Sequence, residues 1–316
     1  MTAARPAPGL PTAADASATA APRVAVVGVG AVGSVFAAAL QDAGAAGMIL
    51  CARPGHAPVT VENPDGRRTA VTAPMITDPA AAGGAADWVL LAVKAHQTQG
   101  AADWLRVLAS PASTVLVLQN GVEHRERVAP FVAGATVLPA VVWCPAESVG
   151  AGQVRQRAAA RLIVAVGNAG EQLRGLLAGS SVEVELTDDF ITESWRKLTV
   201  NAISGLSALT GRGADSYQDP AIAELARQLA AECVAVARAE GARLPVDLPE
   251  KVVARMARKP PGEGSSILAD RLAGRPLEWD ARNGVIQRLG ARHAIPTPVT
   301  DIIVPLLAAT GPAAGP

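Results

Sequence analysis

"VAVVGVGAVG", residues 24–33, is apolar and uncharged and places glycines at 28, 30 and 33. Three readings compete for it: a membrane segment, a buried helix, or a nucleotide-binding turn. The uncharged run continues to residue 40, about the shortest length that spans a bilayer. Three closely spaced glycines oppose a helix, since each weakens one by roughly 1 kcal/mol. No second run of this kind follows, so the chain is expected to be soluble.

The turn has the context it needs. "RVAVVGV", 23–29, is short and β-branched, as a buried strand is. "GAVGSVFAAALQDAG", 30–44, reads as a helix with Gly44 as its stop. A Gly-x-Gly-x-x-Gly between strand and helix gives each glycine its own role. Gly28 permits the tight turn, Gly30 leaves room for a pyrophosphate, and Gly33 allows close helix–strand packing. The free N–H groups of the first helical turn, around Ala31 and Val32, then face the phosphates. A glycine-rich turn without a ligand is the bland alternative.

The second strand, "GMILCAR" (47–53), ends on Arg53 where an NAD site usually carries an acid for the ribose 2′-hydroxyl. A guanidinium there suits a 2′-phosphate held by two parallel hydrogen bonds, so NADP is expected over NAD. The competing reading of Arg53 is an ordinary solvated arginine. Nothing else in the chain suggests a flavin site.

Outward from the turn, "DWVLLAVK" (87–94) and "STVLVLQNG" (113–121) are further apolar strands, with helical stretches at 97–109 and 122–130. Strands apolar on both faces and alternating with helices imply a parallel sheet covered on both sides. Lys94 ends one of them, at the edge where doubly wound sheets bind ligand. "ATVLPAVVWCPAESV", "GQVRQRA" and "RLIVAVG" read as added strands, with antiparallel pairing the suggested arrangement. From about Asp189 the pattern is helical: 189–211, 220–242, and shorter stretches near 247–258, 264–273, 280–293 and 297–309. The expected organisation is a nucleotide-binding domain over 23–188 and a helical domain over 189–310. Flanking tails at 1–22 and 311–316, poor in large apolar side chains, are expected to be disordered.

The 316 residues carry 28 basic and 28 acidic side chains and are 50% hydrophobic. That suits a globular chain and gives no electrostatic reason for a nucleic-acid or membrane partner. Cys51, Cys144 and Cys233 are far apart and form no Cys-x-x-Cys, so neither a disulfide framework nor a metal site is expected, and a reducing cytoplasm fits.

"GVGAVG", "LLAVKAHQT", "LQNGVEHRE", "WRKLTVNAISGLSALTG", "SSILADRLAGRPLEWDARNGVIQRLG" and "IPTP" follow one another in the order found in the ketopantoate reductases (2-dehydropantoate 2-reductases), which the chain resembles from about 23 to 310. The resemblance implies a Rossmann NADP-binding domain followed by an all-helical domain of the 6-phosphogluconate dehydrogenase type. It implies reduction of the 2-oxo acid 2-dehydropantoate to (R)-pantoate for pantothenate and coenzyme A synthesis, with a homodimer as the assembly. Reducing a ketone requires a proton donor near its oxygen. Lys197 matches the family's catalytic lysine, and Asn201, one turn on, shares its helix face. Carried over in the same way, Glu278 accepts from the substrate hydroxyl and helps place the lysine. Ser266 holds the substrate carboxylate, with helix capping as its alternative, and Asn120 lies at the nicotinamide edge, with a plain turn residue as its alternative. Lys94 approaches cofactor or substrate; His96 is read as lining.

Two positions depart from the pattern: Gly205 and Glu263 stand where many members carry amides that help bind the acid. A reductase of another 2-oxo acid, ketone or imine therefore stays open, as does an NADP-binding sensor without activity.

Overall fold

The computed structural model describes residues 21–260 and 262–311. Most of the tail expected over 1–22, and residues 312–316 of the other, lie outside the described residues.

The quoted stretch forms the centre of a six-stranded parallel sheet. Its strands are β1 (Arg23–Val27), β2 (Gly47–Cys51), β5 (Met75–Ile76), β6 (Trp88–Leu91), β7 (Thr114–Val117) and β8 (Thr136–Pro139), in the order β5-β2-β1-β6-β7-β8. Helices α1 (Ala31–Asp42), α2 (Ala102–Leu108) and α3 (His124–Val128) connect them. α1 stops where Gly44 takes φ +83° and Ala45 N–H bonds back to Leu40, the left-handed ending that glycine permits. Strand order reverses between β1 and β6, which opens a crevice at their carboxyl ends. The two faces bury separate apolar clusters, one around Phe36 and Leu40 and the other around Leu105 and Leu108.

The added strands pair antiparallel with one another, as expected, and each such pair is extended by a parallel partner from another part of the chain. β3 (Thr60–Glu62), β4 (Arg68–Ala70), β10 (Ala146–Gly150) and β11 (Gln153–Gln156) make a second sheet in which β11 and β3 run parallel. β9 (Val141–Trp143), β12 (Ala160–Ala165) and β13 (Val182–Thr187) make a third; β12 is antiparallel to β9 and parallel to β13, across the intervening α4 (Asn168–Leu176). From Phe190 onward every described element is helical: α5 (Phe190–Thr210), α6 (Pro220–Ala239), α7 (Leu248–Ala257), α8 (Ser266–Leu272), α9 (Val285–Arg292) and α10 (Pro298–Thr310). A π-helical turn over Asp280–Gly284 leads into α9. These helices enclose their own core, with Trp195, Leu198, Tyr217 and Leu229 buried in it. Among the described residues no helix is long and apolar enough to cross a membrane.

α5 is the element that matters most for the site. Asp189 caps its start by accepting from Thr192 N–H, and Gly211, at φ +68°, ends it. The interior hydroxyls of Ser194, Thr199 and Ser204 donate to carbonyls one turn back, so they are buried without being left unpaired.

Candidate active site

At the glycine turn, Gly28 adopts φ +97° and its N–H donates to the Cys51 carbonyl. A side chain at Gly28 would press on the Val93 backbone at 2.7 Å, so the turn lies directly against the end of β6. Nothing stands within 4 Å of where a Gly30 side chain would be. The first N–H to close a helical bond in α1 is that of Ser34, onto Gly30, which leaves the first-turn donors facing open space. This cradle fits a dinucleotide pyrophosphate. Arg53 is exposed just past the end of β2, on the side where the ribose of such a nucleotide would lie. His56 props the turn, with Nε2 2.9 Å from the Val29 carbonyl oxygen; no spacing signal in the sequence marks it.

Across the crevice the structure brings together residues far apart in sequence. Glu278 is buried, 2% exposed. Its Oε1 accepts from Ala95 N–H at 3.0 Å, and its Oε2 accepts from Asn120 Nδ2 at 3.0 Å and lies 3.5 Å from Lys94 Nζ. Burial by itself would raise its pKa. The charges of Arg282 and Lys94, with the Ala95 and Asn120 donors, outweigh burial and hold it down at about 2. Glu278 is therefore a permanent acceptor and cannot serve as the acid. Asn120 in turn accepts from Asn201 Nδ2 at 3.2 Å, so it is more than a turn residue.

Lys197 sits one turn before Asn201 on α5 and is partly exposed. Its Nζ donates to the Val142 carbonyl and lies 5.5 Å from the centre of the Trp143 ring. Burial, helped by the charge of Arg282 and partly offset by Glu278, pushes its pKa down to about 7. Lys197, Asn120 and Asn201 line one small cleft with Gln119 and Ser194. An amine that exchanges its proton near neutrality, beside two amides, is suited to protonate a carbonyl oxygen held there.

Ser266 is exposed at the first turn of α8, and the capping alternative falls to its neighbour: Ser265 Oγ accepts from Leu268 N–H at 3.3 Å. Ser266 Oγ instead accepts from Arg282 Nη2 at 2.8 Å. Gly205 leaves little room for a side chain, since a Cβ would stand 3.0 Å from Leu307 Cδ1 and 3.2 Å from Asn283 Oδ1. Glu263 pairs with Lys259 at 2.5 Å, which neutralises the carboxylate that departs from the family pattern. His96 lies exposed next to Lys94. Two residues escaped the sequence reading. Asp270, 3% exposed, accepts from Lys94 at 2.6 Å and from Arg275 at 2.9 Å. Arg282 is 1% exposed beneath Ser266. Both lie in "SSILADRLAGRPLEWDARNG", where charges inside an amphipathic pattern look like solvated surface.

Known proteins share the sequence pattern and the fold of this chain. The family profile described as "Ketopantoate reductase PanE/ApbA" matches residues 24–169, and its C-terminal counterpart matches 189–310. The chain is 44% identical over 292 residues to a 2-dehydropantoate 2-reductase of Mycobacterium tuberculosis, covering 92% of this chain and 99% of that one. The crystal structure of a PanE/ApbA family ketopantoate reductase from Ralstonia eutropha JMP134 is 33% identical and superposes with a TM-score of 0.83 over 91% of this chain and 98% of that one. A dimeric ketopantoate reductase from Staphylococcus aureus, 27% identical, gives 0.82 over 91% and 98%. Both halves match in order and at full length, and the chain belongs to the ketopantoate reductase PanE/ApbA family.

Proposed function

We propose that the chain is an NADPH-dependent 2-dehydropantoate 2-reductase that forms (R)-pantoate, working in the cytoplasm as a homodimer. The observation that carries this reading is the Lys197 amine lining one small cleft with Asn120 and Asn201, where burial lowers its pKa to about 7. When bound, the nicotinamide supplies hydride to the ketone carbon. Protonated Lys197 holds the carbonyl oxygen and gives it a proton. Asn201 and Asn120 orient that oxygen, and Glu278, always ionised, accepts from the substrate hydroxyl while fixing Asn120. Ser266 donates to the carboxylate. The cramped position at Gly205 favours, as the second reading, a related 2-oxo acid.

An NADPH-oxidation assay separates the two. A carboxylate left without its hydroxyl partner loses more than the hydrogen bond is worth. So 2-dehydropantoate should exceed the same acid lacking its hydroxyl by roughly tenfold or more in kcat/KM, and Glu278→Gln should erase most of that preference. Equal rates for the two acids in the wild-type enzyme would end the pantoate reading.

For the cofactor, Arg53 is proposed to hold the 2′-phosphate. Losing a charged hydrogen-bond pair costs about 1.5–3 kcal/mol. Arg53→Ala should therefore raise the KM for NADPH tenfold or more, by about the same arithmetic, and leave that for NADH nearly unchanged. A parallel rise for both nucleotides would remove Arg53 from 2′-phosphate recognition.

A further inference from the structure

Arg282 is a buried guanidinium with most of its hydrogen-bonding capacity unspent. Nη2 donates to Ser266 Oγ at 2.8 Å and lies 3.6 Å from Glu278 Oε2, beyond hydrogen-bond reach. Nε is buried with no partner among the described residues. Buried polar groups are almost always paired, and an unpaired one on a charged side chain calls for a cause.

Arg282 balances charge with Glu278, but that pairing leaves its Nε hydrogen without an acceptor. That carboxylate already receives Ala95 N–H and Asn120 Nδ2 and has Lys94 within 3.5 Å. Glu278 is fully served while Arg282 is not. Taken together, Lys94, Lys197 and Arg282 face Asp270 and Glu278, and Asp270 is further neutralised by Arg275. The cations of this cluster outnumber its two carboxylates, and Arg282 among them meets the exposed hydroxyl of Ser266. Neither neighbouring candidate for anion binding competes: Gly205 has no side chain, and Glu263 is a carboxylate paired with Lys259.

We propose that Arg282 is a substrate-binding residue that takes the carboxylate of the 2-oxo acid, acting with Ser266, and thereby makes the enzyme selective for acids over neutral ketones. The inference rests on the 2-oxo acid reductase reading above. A planar guanidinium suits this role, because its donors match both oxygens of a carboxylate. Its position suits the role as well. Ser266 and Arg282 lie on one side of Glu278, and Asn120, Asn201 and Lys197 continue on the other. A molecule with a ketone next to its carboxylate spans that strip with the ketone toward Lys197. A carboxylate on Arg282 also offsets the positive charge that lowers the Lys197 pKa, so binding of the acid favours the protonated amine that the reaction uses.

The test compares two ketones that differ in charge and keep the same hydroxyl: 2-dehydropantoate and its neutral amide. In the wild-type enzyme the acid should be preferred strongly. Arg282→Met should raise the KM for the acid about tenfold to a hundredfold, the scale of a lost charged hydrogen bond, while kcat/KM for the amide and the KM for NADPH stay within about threefold by the same scale. Added guanidinium ion should restore part of the acid's kcat/KM. Arg282→Lys, which keeps a cation opposite Glu278 and so guards against a folding failure, should fall between. An acid preference that survives in both variants, or losses equal for acid and amide, would assign Arg282 to supporting Glu278 and overturn the proposal. A wild-type enzyme indifferent to the carboxylate would overturn it too. A wild-type enzyme that rejects 2-dehydropantoate but reduces another 2-oxo acid would remove only the pantoate reading, and the Arg282 comparison then runs on that acid and its neutral amide.

Discussion

Lys197→Ala should lower kcat by about a hundredfold or more, the usual scale for removing a general acid, with the KM for NADPH little changed. The wild-type rate of ketone reduction should fall as pH rises through about 7, where the amine gives up its proton; the reverse reaction should gain over the same range. The variant's residual rate should lose this dependence. A wild-type profile flat from pH 6 to 9, or a variant with near-normal turnover, would take the proton donation away from Lys197. The same residue weighs on stability. Unfolded, it keeps its proton up to the ordinary value of 10.5, whereas folded it releases the proton above about 7. Between these values the unfolded chain binds more protons, so stability drawn from this site rises with pH, and at pH 7 and below the cost of burying the charge is present in full. Lys197→Met should therefore melt higher than the wild type at pH 7, with the advantage shrinking toward pH 10. Higher Tm combined with lost turnover is a signature that a damaged fold cannot give.

The glycine turn makes an equally large prediction of the opposite kind. A Cβ at Gly33 would sit on the Gly28 carbonyl oxygen and 3.2 Å from the Ala92 side chain. Gly33→Ala should cost roughly 3 kcal/mol, near the upper end for overpacking, and lower Tm by about 6 °C or more. A Cβ at Gly30 meets nothing within 4 Å. Gly30→Ala should leave Tm unchanged and raise the KM for NADPH roughly tenfold or more, since the methyl occupies the space a pyrophosphate needs. If Gly30→Ala binds the nucleotide normally, the open space there is not the phosphate cradle.

The parts of this fold that announced themselves are those with a local cause. β1, the turn and α1 are written in β-branched residues, spaced glycines and a glycine stop. α6 begins on Pro220 with Asp219 accepting from Ala221 N–H at 2.8 Å, a start signal that needs no tertiary context. β3, β4 and β5 span three, three and two residues, too short for any periodicity to show. β11 finds its parallel partner β3 about ninety residues earlier, and only packing sets that pairing. The site divides in the same way. Lys197 and Asn201 were singled out by the resemblance to the ketopantoate reductases, and the helical repeat places them one turn apart on α5. Asp270 and Arg282 were not, because burial and partners distinguish a working charge from a solvated one, and both depend on Lys94 and Ser266 arriving from elsewhere in the chain.

Polar contacts reach across the crevice: Lys94 to Asp270, Ala95 N–H to Glu278, Asn120 to Glu278 and to Asn201. Parting the sheet half from the helical half along this edge exchanges ion pairs and hydrogen bonds for hydration. Dissolved salt screens ions once they are wet, so the Lys94 pairings weaken as ionic strength rises while the neutral amide contacts do not. An enzyme held along such an edge loosens its grip in brine.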